Sequence, residues 1–276
     1  MGVRTNVRND SEGGQDVVHP GRGGLDGVMS LPAERIGTSS PLPLVDETVL
    51  ATTRYLQALT QLDEEAARRP SLLPDWSRGH VIAHLSRNAD AFERVLLKTA
   101  AGEPATMYDA VESRTRDIEE TVRRHDLAGL IRDAESSATR LERAWRGCEA
   151  DPATPYTKVP GGDETWRIDS VGRRRRAEVE IHHADLDIGY RPADWPADFS
   201  LAMVKQRQDE MAASPEGCPS MVLSSTDVEG LWKLGEGQGP EIHGAVGDLA
   251  WWLVGRGGGR GLTSSSGEVP ALGRWR

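Results

Sequence analysis

Glu178 and His182 stand four residues apart in the stretch RAEVEIHHADLDIG. On a helix that spacing projects both side chains from one face, one turn apart, close enough to grip a single ion. An imidazole with a carboxylate is a borderline donor set that suits zinc and similar divalent metals, as in catalytic sites built from two histidines and a glutamate with one position left open. Two ligands need a third from another helix. His84, in SRGHVIAHLSRNADAF, is the best candidate, because its segment is the other apolar helical stripe that carries a histidine. His80, one turn earlier, forms a competing pair with His84. His183 and Asp185 point elsewhere on the Glu178 helix. They suit partners that fix ring tautomers behind the ligands, or ordinary polar residues at a helix end. The plain alternative makes Glu178 and His182 a surface ion pair and His84 a hydrogen-bonded, half-buried histidine.

The elements that must position these residues are read from apolar spacing. Val45, Val49, Leu56, Leu59 and Leu62 fall on one stripe of a first helix that ends before Pro70. A second helix follows Pro74 and Asp75, with Ser77 as N-cap, Gly102 just past its end, and His84, Asn88, Ala91 and Val95 facing inward. A third helical stretch, broken near His125 to Leu127, offers Ile118, Val122, Leu127, Leu130, Ile131, Ala138 and Leu141 to a core. Residues 150–166 read as loop, and a fourth helix runs from Asp169 or Ser170 to Gly189. Four helices with loops between them predict a bundle, in which metal sites are made by inward side chains on facing helices. The remainder reads differently: a helix over Phe199 to Met211, short strands in SMVLSST, GLWKLGE and GPEIHG, and an amphipathic helix in AVGDLAWWLVGR. Adjacent Trp251 and Trp252 cannot share one helix face, so at least one is expected to pack that last helix on its sheet. The expected organisation is a disordered tail over 1–43, a four-helix bundle over 44–191 and a small α/β domain over 192–276. Met29, inside the tail, offers an alternative start of translation.

Composition narrows the partners. The 276 residues carry 33 Lys and Arg against 43 Asp and Glu, a net charge of −10, and this argues against a nucleic-acid or anionic-membrane binder, since both need a positive field. A mean hydropathy of −0.51 is low for a compact chain and fits the Gly-, Ser- and Asp-rich start, which has no apolar period. No window approaches a membrane span, and the start of the sequence shows no apolar h-region after a charged stretch. Two distant cysteines, Cys148 and Cys218, offer neither a disulfide framework nor a thiolate zinc site, so a reducing cytoplasm is the expected location.

Three segments, LLPDWSRGHVIAHLSRNADAF, RAEVEIHHADLDIGYRPADWP and AVGDLAWWLVGR, in that order, resemble the mycothiol-dependent maleylpyruvate isomerase family over about Leu44 to Leu262. The resemblance implies a DinB-like four-helix bundle followed by a small C-terminal α/β domain. It also implies a metal held by His84, Glu178 and His182, the trio that spacing alone suggests, and an activity-associated arginine at Arg256. The chain departs from the family in its longer start, in Ala177 where an arginine commonly precedes the ligand glutamate, and in the glycine run after Arg256. Apart from the family, Arg256 is an arginine at a helix C-terminus facing the macrodipole. The run Arg173 to Arg176 suits attraction of a dicarboxylate, or a solvated face with one or two inward members.

Members of this family turn maleylpyruvate into fumarylpyruvate in gentisate breakdown with the thiol mycothiol. Addition of a thiolate makes the cis double bond single, rotation follows, and elimination returns the trans isomer. A zinc ion with an open position would lower the pKa of the thiol or polarise a substrate oxygen, so no protein cysteine is needed. The resemblance therefore implies a zinc- and mycothiol-dependent cis–trans isomerase of a small dicarboxylate, with Arg256 pairing with a carboxylate or enolate. Two other functions compete: a mycothiol S-transferase that detoxifies electrophiles on the same scaffold, and a non-catalytic metal-binding regulatory module.

Overall fold

A computed structural model describes residues 42–214 and 218–272. The tail expected over 1–43, and with it Met29, lies outside the described residues as far as position 41. Of its last two residues, Leu42 is buried in one cluster with Val45, Phe92 and Trp145.

The first half is helical. The helices are α1 (Val45–Leu59), α2 (Glu64–Arg68), α3 (Arg78–Ala100), α4 (Val111–Arg124), α5 (Leu127–Arg146) and α6 (Val171–Asp185). The expected first helix is thus two. Leu59 ends α1, and the Asp63 side chain accepts the Ala66 N–H to open α2. The break expected near His125 is real, with Asp126 capping α5 at the Gly129 N–H. Helix α3 packs on α4, α5 and α6, and α1 packs on α5 and α6. Gly172 opens α6 against the entry of α1. A Cβ there would collide with the Pro43 carbonyl and crowd Trp145, so no other residue lets the two segments meet as closely.

The loop expected over 150–166 is partly ordered into strands. β1 (Ala105–Thr106) pairs in parallel with β2 (Pro155–Thr157), which pairs antiparallel with β3 (Thr165–Arg167). Strands of two or three residues carry no period, and β1 finds its partner fifty residues away.

After a 3-10 turn at Pro192–Asp194 the chain forms α7 (Ala197–Ala212), β4 (Met221–Ser225), β5 (Leu231–Leu234), β6 (Glu241–Gly244), α8 (Val246–Leu253) and β7 (Thr263–Ser264). The sheet order is β5-β4-β6-β7, antiparallel except for the β4–β6 pair. Trp251 and Trp252 are both buried: Trp251 meets Trp195 edge-on at 5.7 Å, and Trp252 Nε1 donates to the Pro270 carbonyl at 2.9 Å. The core of this second region includes Ala177, Ile181 and Ala184 of α6. Val171 and Val179 of the same helix belong to the cores of the bundle. Helix α6 is therefore covered on both sides, which explains why its polar and apolar residues do not segregate onto separate faces. No helix among the described residues is long and apolar enough to cross a membrane.

Candidate metal centre

Local chemistry sets the helices that carry the trio. Ser77 caps α3: its hydroxyl accepts the His80 N–H, and its own N–H donates to His80 Nδ1, each at 3.3 Å. That cap occupies His80, whose Nε2 lies 3.5 Å from Glu119, so the competing pair with His84 does not form. Arg78, the first residue of α3, reaches across to the end of α6. Its Nε donates to the Leu186 carbonyl at 2.7 Å and its Nη2 to the Asp187 carbonyl at 3.0 Å. With the start of α3 strapped to the end of α6, α3 sets His84, nearly two turns on, against Glu178 and His182.

Among the described residues, His84, Glu178 and His182 bring one ligand atom each within 4.8 Å of one another. His84 Nε2 donates to Glu178 Oε2 at 2.9 Å, and His182 Nε2 lies 3.4 Å from the same oxygen. The two imidazoles meet edge to face at 4.6 Å. The histidine side chains are 1% and 9% exposed and Glu178 is 23% exposed, so the cluster is walled in except on the carboxylate side. Trp76 closes another side, its ring 5.5 Å from that of His84. Two imidazoles and a carboxylate converging on one point fit a divalent metal of the zinc type.

The electrostatics follow from burial and from these pairs. Burial pushes His84 down to about 4, against the hydrogen bond it donates to Glu178. Burial alone would raise Glu178, but its bonds to His182 and His84 hold it well below the usual carboxylate range. His182 is raised: burial opposes its charge, yet the bonds to Asp185 and Glu178 win. Asp185 is the orienting partner. It is fully buried and accepts from His182 Nδ1 at 2.9 Å, which turns Nε2 of His182 toward the cluster. Arg256 stands behind Asp185, with Nε 3.0 Å from Oδ1 and Nη2 3.4 Å from Oδ2. Gly257, with φ 67°, follows it, and a Cβ there would press 2.6 Å from the Trp251 ring, so the glycine run is what lets the chain deliver Arg256.

A family model described as the mycothiol maleylpyruvate isomerase N-terminal domain matches residues 49–187. The chain belongs to this family. The matched segment holds the whole trio. A crystal structure described as the mycothiol-dependent maleylpyruvate isomerase is similar, with TM-score 0.76 and 26% identity over 84% of this chain and 97% of that one. A structure of a His-to-Ala mutant of that isomerase is similar at TM-score 0.75, with the same identity and coverage. Among curated proteins no sequence match was found. The family relationship and the helix-rich first region with a small sheet region after it agree with the architecture expected from the sequence.

The other residues singled out from the sequence lie around this family centre in distinct places. His183 faces away from the trio. Arg173 is exposed on Gln206, Arg174 stacks on Trp166 at 4.0 Å, and Arg176 pairs with Asp198. Arg175 is buried, donating to the Leu85 carbonyl and to Asn88 Oδ1, and burial lowers it to about 10. Two of the four arginines thus point inward, and none touches the trio. Ala177 is buried in the core shared with the second region. Cys148 and Cys218 are free and stand outside the cluster. Trp76, Tyr108 and Arg114 belong to the centre but are not apparent from the sequence. Arg114 Nη2 donates to His84 Nδ1 at 3.2 Å, its guanidinium lies 6.0 Å from the Trp76 ring centroid, and its hydrogen bonding, with that of Asn88, opposes the rise that burial gives Tyr108.

Proposed function

We propose that this protein is a metal- and mycothiol-dependent cis–trans isomerase acting on maleylpyruvate or a close relative. The observation that carries the proposal is the convergence of His84, Glu178 and His182 on one buried point that opens only on the Glu178 side. Those three residues would hold the ion, for which zinc suits the donor set best. When bound, the metal would supply Lewis acidity at the open position and mycothiol would supply a thiolate that adds to the double bond and later leaves.

The chain's own residues prepare that chemistry. Asp185 fixes His182 with its proton on Nδ1, so Nε2 keeps the lone pair a ligand needs. Arg256 holds Asp185 in place, and we assign it this positioning part rather than direct contact with a carboxylate. Trp76 shields the imidazole of His84 from water, which strengthens every charge interaction around it. The free cysteines take no part, in keeping with a thiol that comes from outside the chain.

The test is direct. Purified protein loaded with zinc and given mycothiol and maleylpyruvate is expected to form fumarylpyruvate, with activity requiring both additions and lost in His84→Ala. Absence of trans product from metal-replete protein overturns the proposal. A stable mycothiol adduct with another electrophile would replace it by the S-transferase reading.

A further inference from the structure

Arg114 makes a hydrogen bond at the metal centre that a loaded site cannot keep. A guanidinium only donates and stays protonated in proteins. Since Arg114 Nη2 donates to His84 Nδ1 at 3.2 Å, Nδ1 is the accepting nitrogen and the ring proton sits on Nε2, where it is given to Glu178 Oε2. That is the tautomer that cannot ligate through Nε2. His182 is the opposite case, with its proton on Nδ1 toward Asp185 and Nε2 turned to the cluster. For His84 to ligate as His182 can, its proton must sit on Nδ1. Two donors, Nδ1–H and the guanidinium, then face each other, and Arg114 has to leave.

Once displaced, Arg114 is a cation without a carboxylate. None of the ion pairs among the described residues includes it. It is half-buried on α4 beside Trp76 and Tyr108, and Tyr108 in turn lies close enough to Glu178 to feel its charge. A partly desolvated guanidinium with no anion of its own matches the planar, forked acceptor of a carboxylate.

We propose that Arg114 binds a carboxylate group of the substrate and is set free to do so when His84 takes up its metal. The proposal rests on the isomerase reading only for the anionic class of the substrate. It makes the order of events a property of the site: in the metal-free protein the guanidinium is parked on His84, and in the loaded protein it is available.

The experiment titrates maleate, a cis dicarboxylate, into zinc-loaded protein by calorimetry in the absence of thiol. Wild type, Arg114→Met and Arg114→Lys are compared, with dimethyl maleate as the uncharged control. Arg114→Met is expected to weaken maleate about ten- to hundredfold, as loss of a charge-assisted hydrogen bond does. Arg114→Lys should restore part of it, and the ester should bind wild type and Arg114→Met alike. Zinc competition with a chelator gives a second readout. Arg114→Met should bind one zinc about two- to tenfold more tightly than wild type, because the bond that holds the wrong tautomer is gone. One zinc per chain in the variant also certifies its fold. Equal maleate affinity in wild type and Arg114→Met, no maleate binding to loaded wild type, or weaker zinc binding in Arg114→Met would overturn the proposal. If maleate and zinc behave as expected and no isomerisation is seen, the carboxylate site stands and only the isomerase reading falls.

Discussion

Helix α6 carries two Glu/His sets back to back, and they have opposite fates. On one side Glu178 and His182 meet a second histidine, share one oxygen with it, and keep a carboxylate edge open. On the other side Glu180 is fully buried and saturated: Arg54 Nη2 donates to it at 2.7 Å and the Tyr190 hydroxyl at 2.6 Å. His183 is stacked flat on Tyr190 with centroids 4.0 Å apart, edge-on to Tyr55, and neither of its ring nitrogens has a hydrogen-bond partner among the described residues. The same two residue types on one helix make a cluster suited to a metal on one face and a closed structural one on the other. What separates them is the supply of partners. Glu180 has a guanidinium on one oxygen and a phenol on the other, whereas Glu178 takes both imidazoles on Oε2 alone.

The largest effect should come from breaking each side in turn. Glu178→Ala and His84→Ala are expected to lower zinc affinity by about a thousandfold or more, so that stoichiometry falls from one to near zero. Glu180→Ala should keep its zinc and instead lose roughly 2–3 kcal/mol of folding stability, since it strands a partly buried guanidinium. Metal analysis and urea denaturation on the same preparations read both. If Glu180→Ala lost its metal as fully as Glu178→Ala, the two faces would not be separate.

Acid sharpens the contrast next. Burial, aided by the charge of Arg54, pushes His183 down to about 4, against an ordinary value near 6.5. The unfolded chain then binds more protons than the folded one through that window. Stability should therefore fall as pH drops from about 6.5 to about 4, by up to roughly 3 kcal/mol, and level off below. His183→Phe keeps the ring stack and removes the proton site. The stability difference between wild type and this variant should be small at pH 7 and grow in the variant's favour toward pH 4. A difference that does not change with pH would show that His183 is not the group responsible.

The smallest effects belong to the residues behind the trio. Asp185→Asn should weaken zinc about ten- to hundredfold, because it disturbs the tautomer of His182, and Arg256→Met should weaken it about two- to fivefold, because Asp185 loses its clamp but stays in place. The order of the two losses is the measurement. If Arg256→Met left zinc affinity untouched while abolishing turnover, Arg256 would act on substrate instead.

Much of this centre can be read from the sequence, and the part that cannot has a physical cause. Glu178 and His182 are visible because a one-turn spacing is a local property of a helix, and His84 because it interrupts an apolar stripe. Ser77 announces a helix start for the same local reason. Arg114 is hidden because α4 reads VESRTRDIEETVRR, a run in which any arginine looks solvated, and only packing against α3 brings that one to His84. The partnership of Arg256 with Asp185 spans 71 residues and no spacing rule reaches that far. The strands β1, β2 and β3 escape for a similar reason, since their partners and not their own residues make them strands.

The same 71-residue separation sets a timetable. Chains are synthesised from the N-terminus at about 5–20 residues per second, so Asp185 emerges roughly 4–14 seconds before the guanidinium that clamps it. During that interval the three candidate ligands are already made while the residues that cover Ala177, Ile181 and Ala184 are still being added. The last third of the chain is therefore a late-arriving fastener, and a chain cut short after Asp185 would carry all three candidate ligands with the helix that holds two of them uncovered along Ala177, Ile181 and Ala184.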